Sequence, residues 1–168
     1  MKRDSVIAIV AALNENQVQY LIVGGLAVVA HGYVRFTADV DLLLSVETEN
    51  LKRAVAALKL LGYRPRAPVD IDDFLDPSKR QQWAQEKNMT VFSLFSDIHE
   101  ATEIDLFLEP PIDFDAAYRR AVHQEVGPKI PATFCSLDDL IELKTLSGRP
   151  EDRADIEKLK QLRKDSGE

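Results

Sequence analysis

The segment from Tyr20 to Leu44 constrains the fold more than any other part of the chain. An apolar stretch leads into Gly24 and Gly25, a second apolar stretch follows, and the segment ends in Asp39, Asp41 and further aliphatic residues. In an extended strand, residues two apart share a face and lie about 6.6 Å apart along the chain. Asp39 and Asp41 are therefore predicted to point to one side of a strand whose other side enters a core.

Two carboxylates beside an apolar core need compensation. Unpaired charges in such a place are strongly destabilising, so these acids require a cation, hydrogen-bond donors or water. Mg²⁺ prefers oxygen ligands of this kind. Asp39 and Asp41 therefore predict a site for Mg²⁺ or Mn²⁺.

Gly24 and Gly25 separate a predicted strand from a predicted helix. Glycine permits a sharp turn and a close approach, and the free N–H groups at the start of a helix suit a phosphate. The same dipeptide is also common as a tight turn without a ligand. The acid pair downstream favours the phosphate-binding interpretation.

A third acid, Asp105, lies in the middle of a second alternating segment, Glu103 to Leu108. This pattern predicts a strand with Glu103, Asp105 and Phe107 on one face. If this strand lies beside the first, Asp105 joins the pair as a metal ligand, and the site can hold two cations roughly 3.5–4 Å apart. The alternative is an edge strand with ordinary solvent-facing acids.

The order of these motifs resembles the DNA polymerase β-type nucleotidyltransferase superfamily. In that family a hydrophobic-Gly-Gly motif precedes Asp-hydrophobic-Asp, and a later strand carries a third Asp. The segment VGGLAVVAHG is similar to the abortive-infection (type IV toxin–antitoxin) nucleotidyltransferase toxins. The similarity extends to Arg35 and Thr37, which precede the acids. The match covers Tyr20 to Leu108 and implies a metal-dependent transferase that uses an NTP.

The resemblance also implies roles for individual residues. Gly24 and Gly25 would hold the triphosphate, Asp39 and Asp41 would bind the metals, and Asp105 would help to activate the attacking hydroxyl.

Arg35 would contact phosphate, because its guanidinium offers paired donors that match phosphate oxygens. The alternative for Arg35 is a surface arginine paired with a nearby acid. Thr37 is also predicted to belong to the nucleotide-binding site, where it would hydrogen-bond within the loop or simply favour an extended chain.

The C-terminal part predicts a helical hairpin. Ser136 is a suitable cap for a helix that begins at Leu137, Gly148 ends this helix, and a second helix follows from Glu151. The toxin resemblance places a lysine of the first helix and acids of the second near the triphosphate.

Lys144 and Asp155 are the counterparts that we predict for nucleotide binding, with Arg149 and Asp152 as less defined neighbours. Asp152 and Asp155 also fit charge stabilisation of a helix N-terminus, and Lys144 also fits an ordinary surface lysine.

Periodicity across the chain predicts an α/β protein of the α+β kind: a mixed, largely antiparallel nucleotidyltransferase sheet flanked by helices, with the C-terminal hairpin. We predict a single domain over 1–168, with its core at about 18–112 and its helical part at about 136–165. The predicted helices cover 4–16, 25–32, 47–61, a segment around Trp83, and 113–120; the predicted strands cover 19–24, 39–45, 89–95, 102–108, 122–126 and 130–134.

Composition limits the remaining possibilities. With 168 residues, of which 45% are hydrophobic, the chain can bury one substantial core. Apolar runs fall short of the ~20 residues that span a bilayer, and the N-terminus reads as an amphipathic helix, so we expect a cytoplasmic protein without membrane partners. The single cysteine, Cys135, is predicted to be a small buried hydrophobe.

Several classes of function do not fit. The net charge of −7 argues against tight nonspecific nucleic-acid binding. P-loop, dinucleotide-binding and zinc-binding motifs are absent from the sequence. His31 either faces the nucleotide or packs its helix against the rest of the protein.

Two functional hypotheses follow. The first is a Mg²⁺-dependent enzyme that transfers a nucleoside monophosphate from an NTP to a hydroxyl or phosphate acceptor on RNA, a protein or a small molecule. It includes a toxin with an antitoxin partner. The second is a catalytically idle nucleotide-binding or protein-interaction module. The presence of Asp39, Asp41 and Asp105 together favours the enzyme.

Overall fold

The structure is a computed structural model that describes residues 1–167. The helices are α1 (Arg3–Glu15), α2 (Gly24–Ala30), α3 (Thr48–Leu60), α4 (Pro77–Glu86), α5 (Phe114–Arg119), α6 (Leu137–Ser147) and α7 (Asp152–Asp165), with a 3-10 helix at Ile71–Leu75. The strands are β1 (Tyr20–Val23), β2 (Asp39–Leu44), β3 (Arg64–Pro65), β4 (Val91–Phe95), β5 (Glu103–Phe107), β6 (Val122–Gly127) and β7 (Ile130–Phe134).

The strands form one seven-stranded sheet in the order β3-β4-β5-β2-β1-β7-β6. The pairs β2–β5 and β1–β7 are parallel, and the other four pairs are antiparallel. The prediction of a mixed, largely antiparallel sheet flanked by helices is therefore confirmed. No helix within residues 1–167 has the length and apolar character needed to cross a bilayer.

One face of the sheet belongs to the hydrophobic core. On β2 the alternate residues Val40 and Leu42 are fully buried there. Phe92 of β4 stacks against Trp83 of α4 and Phe74 of the 3-10 helix, with ring centroids 5.0 and 5.4 Å apart. Alternating strands thus send their apolar side chains toward these helices.

The opposite face is covered only in part. Helix α2 packs on β1 and β2 and contacts α6. On β4 and β5 the residues of this face are only half-buried; they are Val91, Ser93, Phe95, Glu103, Asp105 and Phe107. The sheet therefore opens beside Asp105, and this opening positions the site.

The C-terminal hairpin forms as predicted. The Ser136 hydroxyl accepts a hydrogen bond from the Asp139 backbone N–H at 3.1 Å and caps α6. Gly148 ends that helix in the left-handed conformation, with φ of 64°. Local capping chemistry is therefore enough to define both ends of α6.

Two elements were not predicted. Strand β3 has only two residues, which is too short to show an alternating pattern, and it exists because Arg64 pairs with Phe95 of β4. The 3-10 helix follows Asp70, whose side chain accepts from the backbone N–H of Asp72. Both elements lie in the polar stretch where periodicity is weakest.

Candidate active site

A cleft of about 770 Å³ lies between the open part of the sheet, the start of α2, the loop before β2, and α6. Its size suits a small-molecule ligand. Eight of the nine residues predicted for the site line it, namely Gly24, Gly25, Arg35, Thr37, Asp39, Asp41, Asp105 and Lys144. The ninth, Asp155, forms ion pairs with two of these residues, Arg35 and Lys144.

The three predicted metal-binding acids come from neighbouring strands. Strand β2 pairs with β5 in parallel, which sets Asp41 opposite Asp105 and Asp39 opposite Glu103. The expectation that these two strands lie side by side is confirmed. Residues in register on paired strands share a face, so four carboxylates converge on one region of the sheet.

The electrostatic environment of Asp39 and Asp41 is unfavourable for negative charge. Burial, followed by repulsion from Asp105 and Asp39, raises the pKa of Asp41 to about 7, although Arg149 and Lys144 act in the opposite direction. Burial, followed by repulsion from Asp105 and Glu103, raises the pKa of Asp39. Within residues 1–167, no salt bridge involves Asp39, Asp41 or Asp105.

Asp39 and Asp41 fit a divalent cation whose remaining ligands come from substrate and water. Among the residues that the structure describes, no three His, Cys, Asp or Glu side chains form a ready-made metal cage. Mg²⁺ is commonly held by one or two carboxylates together with substrate phosphates and water. Asp39 and Asp41 would supply those carboxylates, and a cation there would offset the repulsion that raises their pKa values. The contribution of Asp105 to metal binding stays a prediction.

The two glycines allow the turn to touch neighbouring side chains. Gly24 has φ of +64°, and a Cβ atom there would lie 2.0 Å from Oδ2 of Asp41. At Gly25 a Cβ atom would lie 2.6 Å from Oγ1 of Thr37. The close approach that glycine permits is therefore to Asp41 and Thr37, which brings the start of α2 directly against Asp41. Phosphate binding by this turn stays a prediction.

The loop before β2 directs Arg35 and Thr37 inward. Arg35 forms an ion pair with Asp155, and its Nε donates to the backbone oxygen of Phe36 at 3.1 Å. The Thr37 hydroxyl donates to the backbone oxygen of Asp39 at 3.4 Å, a long hydrogen bond within the loop. Arg35 thus pairs with an acid while it also lines the cleft.

Lys144 lies at the centre of a buried ion-pair cluster. Its Nζ donates to Asp152 Oδ1 and Asp155 Oδ2, both at 2.8 Å. Burial by itself would raise the pKa of Asp152, but hydrogen bonds from Lys144 and Ser147 outweigh it and lower that pKa. With only 8% of its side chain exposed, Lys144 is not an ordinary surface lysine.

Other residues that sequence reasoning left open now have definite places. Arg149 is exposed, lines the cleft, and donates from Nε to the Ser147 hydroxyl at 3.0 Å. His31 lies within hydrogen-bond distance of the Cys135 backbone oxygen, 2.8 Å from Nε2, so it packs α2 against the core. Cys135 is buried as predicted, and burial raises the pKa of its thiol to about 12.

Sequence reasoning missed Ser93. Its hydroxyl donates to Oδ1 of Asp105 at 2.5 Å. Its place on an alternating strand is visible in the sequence, but its neighbour depends on the register between β4 and β5.

Two solved structures are similar to this fold. The crystal structure of lincosamide antibiotic adenylyltransferase LnuA, lincomycin-bound, matches with a TM-score of 0.58 and 16% identity, over 96% of this chain and 98% of that one. The crystal structure of ANT(2″)-Ia in complex with adenylyl-2″-tobramycin matches with a TM-score of 0.56 and 18% identity, over 96% and 94%. These similarities show that the protein has a nucleotidyltransferase fold.

The sequence itself identifies the family. A family described as "Nucleotidyltransferase of unknown function (DUF6036)" matches residues 4–164, and the chain belongs to this family. No curated protein matches the sequence significantly. The resemblance to the abortive-infection toxins stays a prediction.

Proposed function

We propose that this protein is a Mg²⁺-dependent enzyme that transfers a nucleoside monophosphate from an NTP to an acceptor. The observation that carries this proposal is the set of sheet acids at the cleft. Asp39 and Asp41 lie beside Asp105 with raised pKa values and no salt bridge among the described residues. A module without catalysis has no need for this destabilising arrangement.

The reaction would proceed by in-line displacement. The acceptor oxygen forms a bond to the α-phosphorus, the bond from that phosphorus to the bridging oxygen breaks, and pyrophosphate leaves. Asp105 takes the proton of the acceptor hydroxyl as a general base. Asp39 and Asp41 would hold Mg²⁺, which when bound polarises phosphate oxygens and offsets developing charge.

The cations of the cleft lie on the side of the helical hairpin. Arg149 is exposed there and Arg35 keeps a third of its side chain accessible. A guanidinium has five N–H donors, so pairing with one acid leaves donors of Arg35 for a phosphate. Lys144 uses two of its three ammonium donors for Asp152 and Asp155, so its main role would be to hold these acids beside the cleft. These positions support an orientation in which the pyrophosphate leaves toward the hairpin.

A small-molecule hydroxyl is the acceptor class that we favour. The two similar structures are an antibiotic adenylyltransferase with lincomycin and a complex with adenylyl-tobramycin. This chain aligns with nearly the whole of each. RNA and protein acceptors, including those of a toxin held by an antitoxin, are the competing classes that the experiment separates.

The test is a transfer assay with each α-³²P-labelled NTP and Mg²⁺. Three acceptor pools are compared: total cellular RNA, total cellular protein, and a panel of hydroxyl-rich small molecules that includes lincomycin and tobramycin. We expect label in the small-molecule pool, and its loss with Asp41→Asn or with EDTA. The matched control is Asp165→Asn, which alters an exposed acid on α7.

Each other outcome has a definite meaning. Label in RNA or protein would replace the acceptor class, and growth arrest by the wild type but not by Asp41→Asn would then support the toxin role. Binding of NTP without transfer to any pool would favour the idle module.

A further inference from the structure

Ser93 lies at the centre of β4, directly opposite Asp105 of β5. Its hydroxyl donates to Oδ1 of Asp105 at 2.5 Å. This distance is that of a short O–H···O hydrogen bond. Ser93 therefore binds one particular oxygen of the acid proposed to take the acceptor proton.

The two residues are held rigidly relative to each other. The antiparallel ladder between β4 and β5 is regular from Val91 to Leu94. The alternate residues Phe92 and Leu106 are buried on the core face. Side chains on packed strands are positioned more precisely than side chains on loops.

Asp105 differs from the neighbouring acid on its own strand. Glu103 lies two residues earlier on the same face and is held by Arg66, whose Nε donates to it at 3.0 Å. Within residues 1–167, the bond from Ser93 is the only side-chain hydrogen bond that Asp105 makes, and no cation pairs with Asp105. A neutral donor orients the carboxylate and leaves its negative charge and its Oδ2 atom available.

We propose that Ser93 is a positioning residue for the transfer reaction. It holds Oδ1 of Asp105, so that Oδ2 is the oxygen that accepts the proton of the attacking hydroxyl. This inference depends on the proposed function, because it assigns a partner to the general base of that reaction.

Removal of the Ser93 hydroxyl should lower turnover more than it weakens NTP binding. Partners that orient metal-ligating side chains are commonly worth about 10–100-fold in metal affinity or activity, and we expect an effect of the same size for a partner of the proposed base. We expect Ser93→Ala to lower kcat about 10–100-fold while KM for the NTP changes less than about threefold, since Asp105 acts in the transition state. Ser93→Thr keeps a hydroxyl on a strand that accepts β-branched residues, so it should restore most of kcat.

The experiment measures kcat and KM for the NTP, with the acceptor pool that the wild type labels. The variants are Ser93→Ala, Ser93→Thr, Asp105→Asn and the double variant Ser93→Ala/Asp105→Asn. If Ser93 acts through Asp105, the double variant should be no slower than Asp105→Asn alone. Ser78→Ala, which removes an exposed hydroxyl on α4, is the matched control.

The outcomes separate this inference from the proposed function. Full activity of Ser93→Ala, or additive losses in the double variant, would overturn the role of Ser93 and leave the enzyme assignment standing. A loss of thermal stability that accounts for the lost activity, without rescue by threonine, would also overturn it. If the wild type transfers no label to any pool, the proposed function fails and the role of Ser93 fails with it.

Discussion

Asp39 and Asp41 on β2, and Asp152 and Asp155 on α7, are two pairs of acids with different neighbours. The first pair lines the cleft, and burial and repulsion from other carboxylates raise its pKa values. The second pair is more deeply buried, yet Lys144 binds both of its members. In the second pair, attraction outweighs burial and the pKa of Asp152 falls.

The two pairs of acids therefore differ in how they affect the stability of the fold. A carboxylate that is buried with its cation contributes to a defined structure, although the net stabilisation is small once desolvation is counted. A carboxylate that is kept beside other carboxylates destabilises the fold until a cation or a proton arrives. We therefore propose that the hairpin acids support the cleft, whereas the sheet acids carry its chemistry.

The largest expected effect is on stability, at the ion-pair cluster of Lys144, Asp152 and Asp155. Lys144→Met removes the cation from between Asp152 and Asp155, and breaking a buried pair by removing one partner costs about 3–5 kcal/mol. We expect the free energy of unfolding in urea to fall by about that amount. Lys59→Met is the control, because its ion pair with Asp72 is half-exposed and worth less than about 1 kcal/mol. Equal losses in the two variants would show that the buried ion pairs of Lys144 stabilise the fold no more than an exposed pair does.

The next effect concerns the chemistry of the sheet acids. Asp105→Asn removes the proposed general base, so we expect turnover to fall about 10²-fold or more while the Kd for the NTP changes little. Asp39→Asn should weaken both, because Asp39 is expected to hold the nucleotide-bound metal. Rapid-quench transfer assays and calorimetry measure the two quantities. Near-normal transfer by Asp105→Asn would show that Asp105 is not needed for the reaction and that β5 is only structural.

The pH dependence of stability should have opposite signs in the two clusters. The folded-state pKa of Asp41 is raised from 3.8 to about 7, so its contribution is complete below pH 4 and is lost as the pH rises through about 7. The pKa of Asp152 is lowered, so its contribution is present above its ordinary pKa and is lost as the pH falls.

In EDTA we therefore expect Asp41→Asn to gain stability over the wild type between pH 5 and pH 8. The expected gain is on the order of 2 kcal/mol, since water in an open cleft weakens the full effect of such a shift. Urea denaturation at both pH values measures it, with Asp138→Asn, an exposed acid on α6, as the control. A pH-independent difference would show that Asp41 is not the titrating group.

The smallest expected effect is metal stabilisation. Mg²⁺ at ten times its Kd should stabilise the folded protein by about 1.4 kcal/mol, which raises Tm by about 3–6 °C. Asp41→Asn should lose this response, whereas Asp138→Asn should keep it. Scanning calorimetry with and without Mg²⁺ measures the shift. An equal response in all three proteins would place the metal elsewhere.

Local signals predicted most of the elements around the site. The alternation in β2 and β5 placed the acids on one face, and the Ser136 cap and Gly148 marked the ends of α6. Such signals depend only on residues a few positions apart. The 3-10 helix and β3 escaped prediction because they are short and their surroundings decide them.

The sequence by itself determined the order of most strands and helices, the sidedness of Asp39, Asp41 and Asp105, and the membership of the nucleotidyltransferase family. These properties follow from backbone periodicity and from motifs within short segments. Only the tertiary structure decided that Asp105 lies beside Asp41, that Ser93 holds it, and that Lys144 is enclosed by acids. The reason is that strand pairing and ion pairing join distant segments, and their register is set by the packing of the whole core.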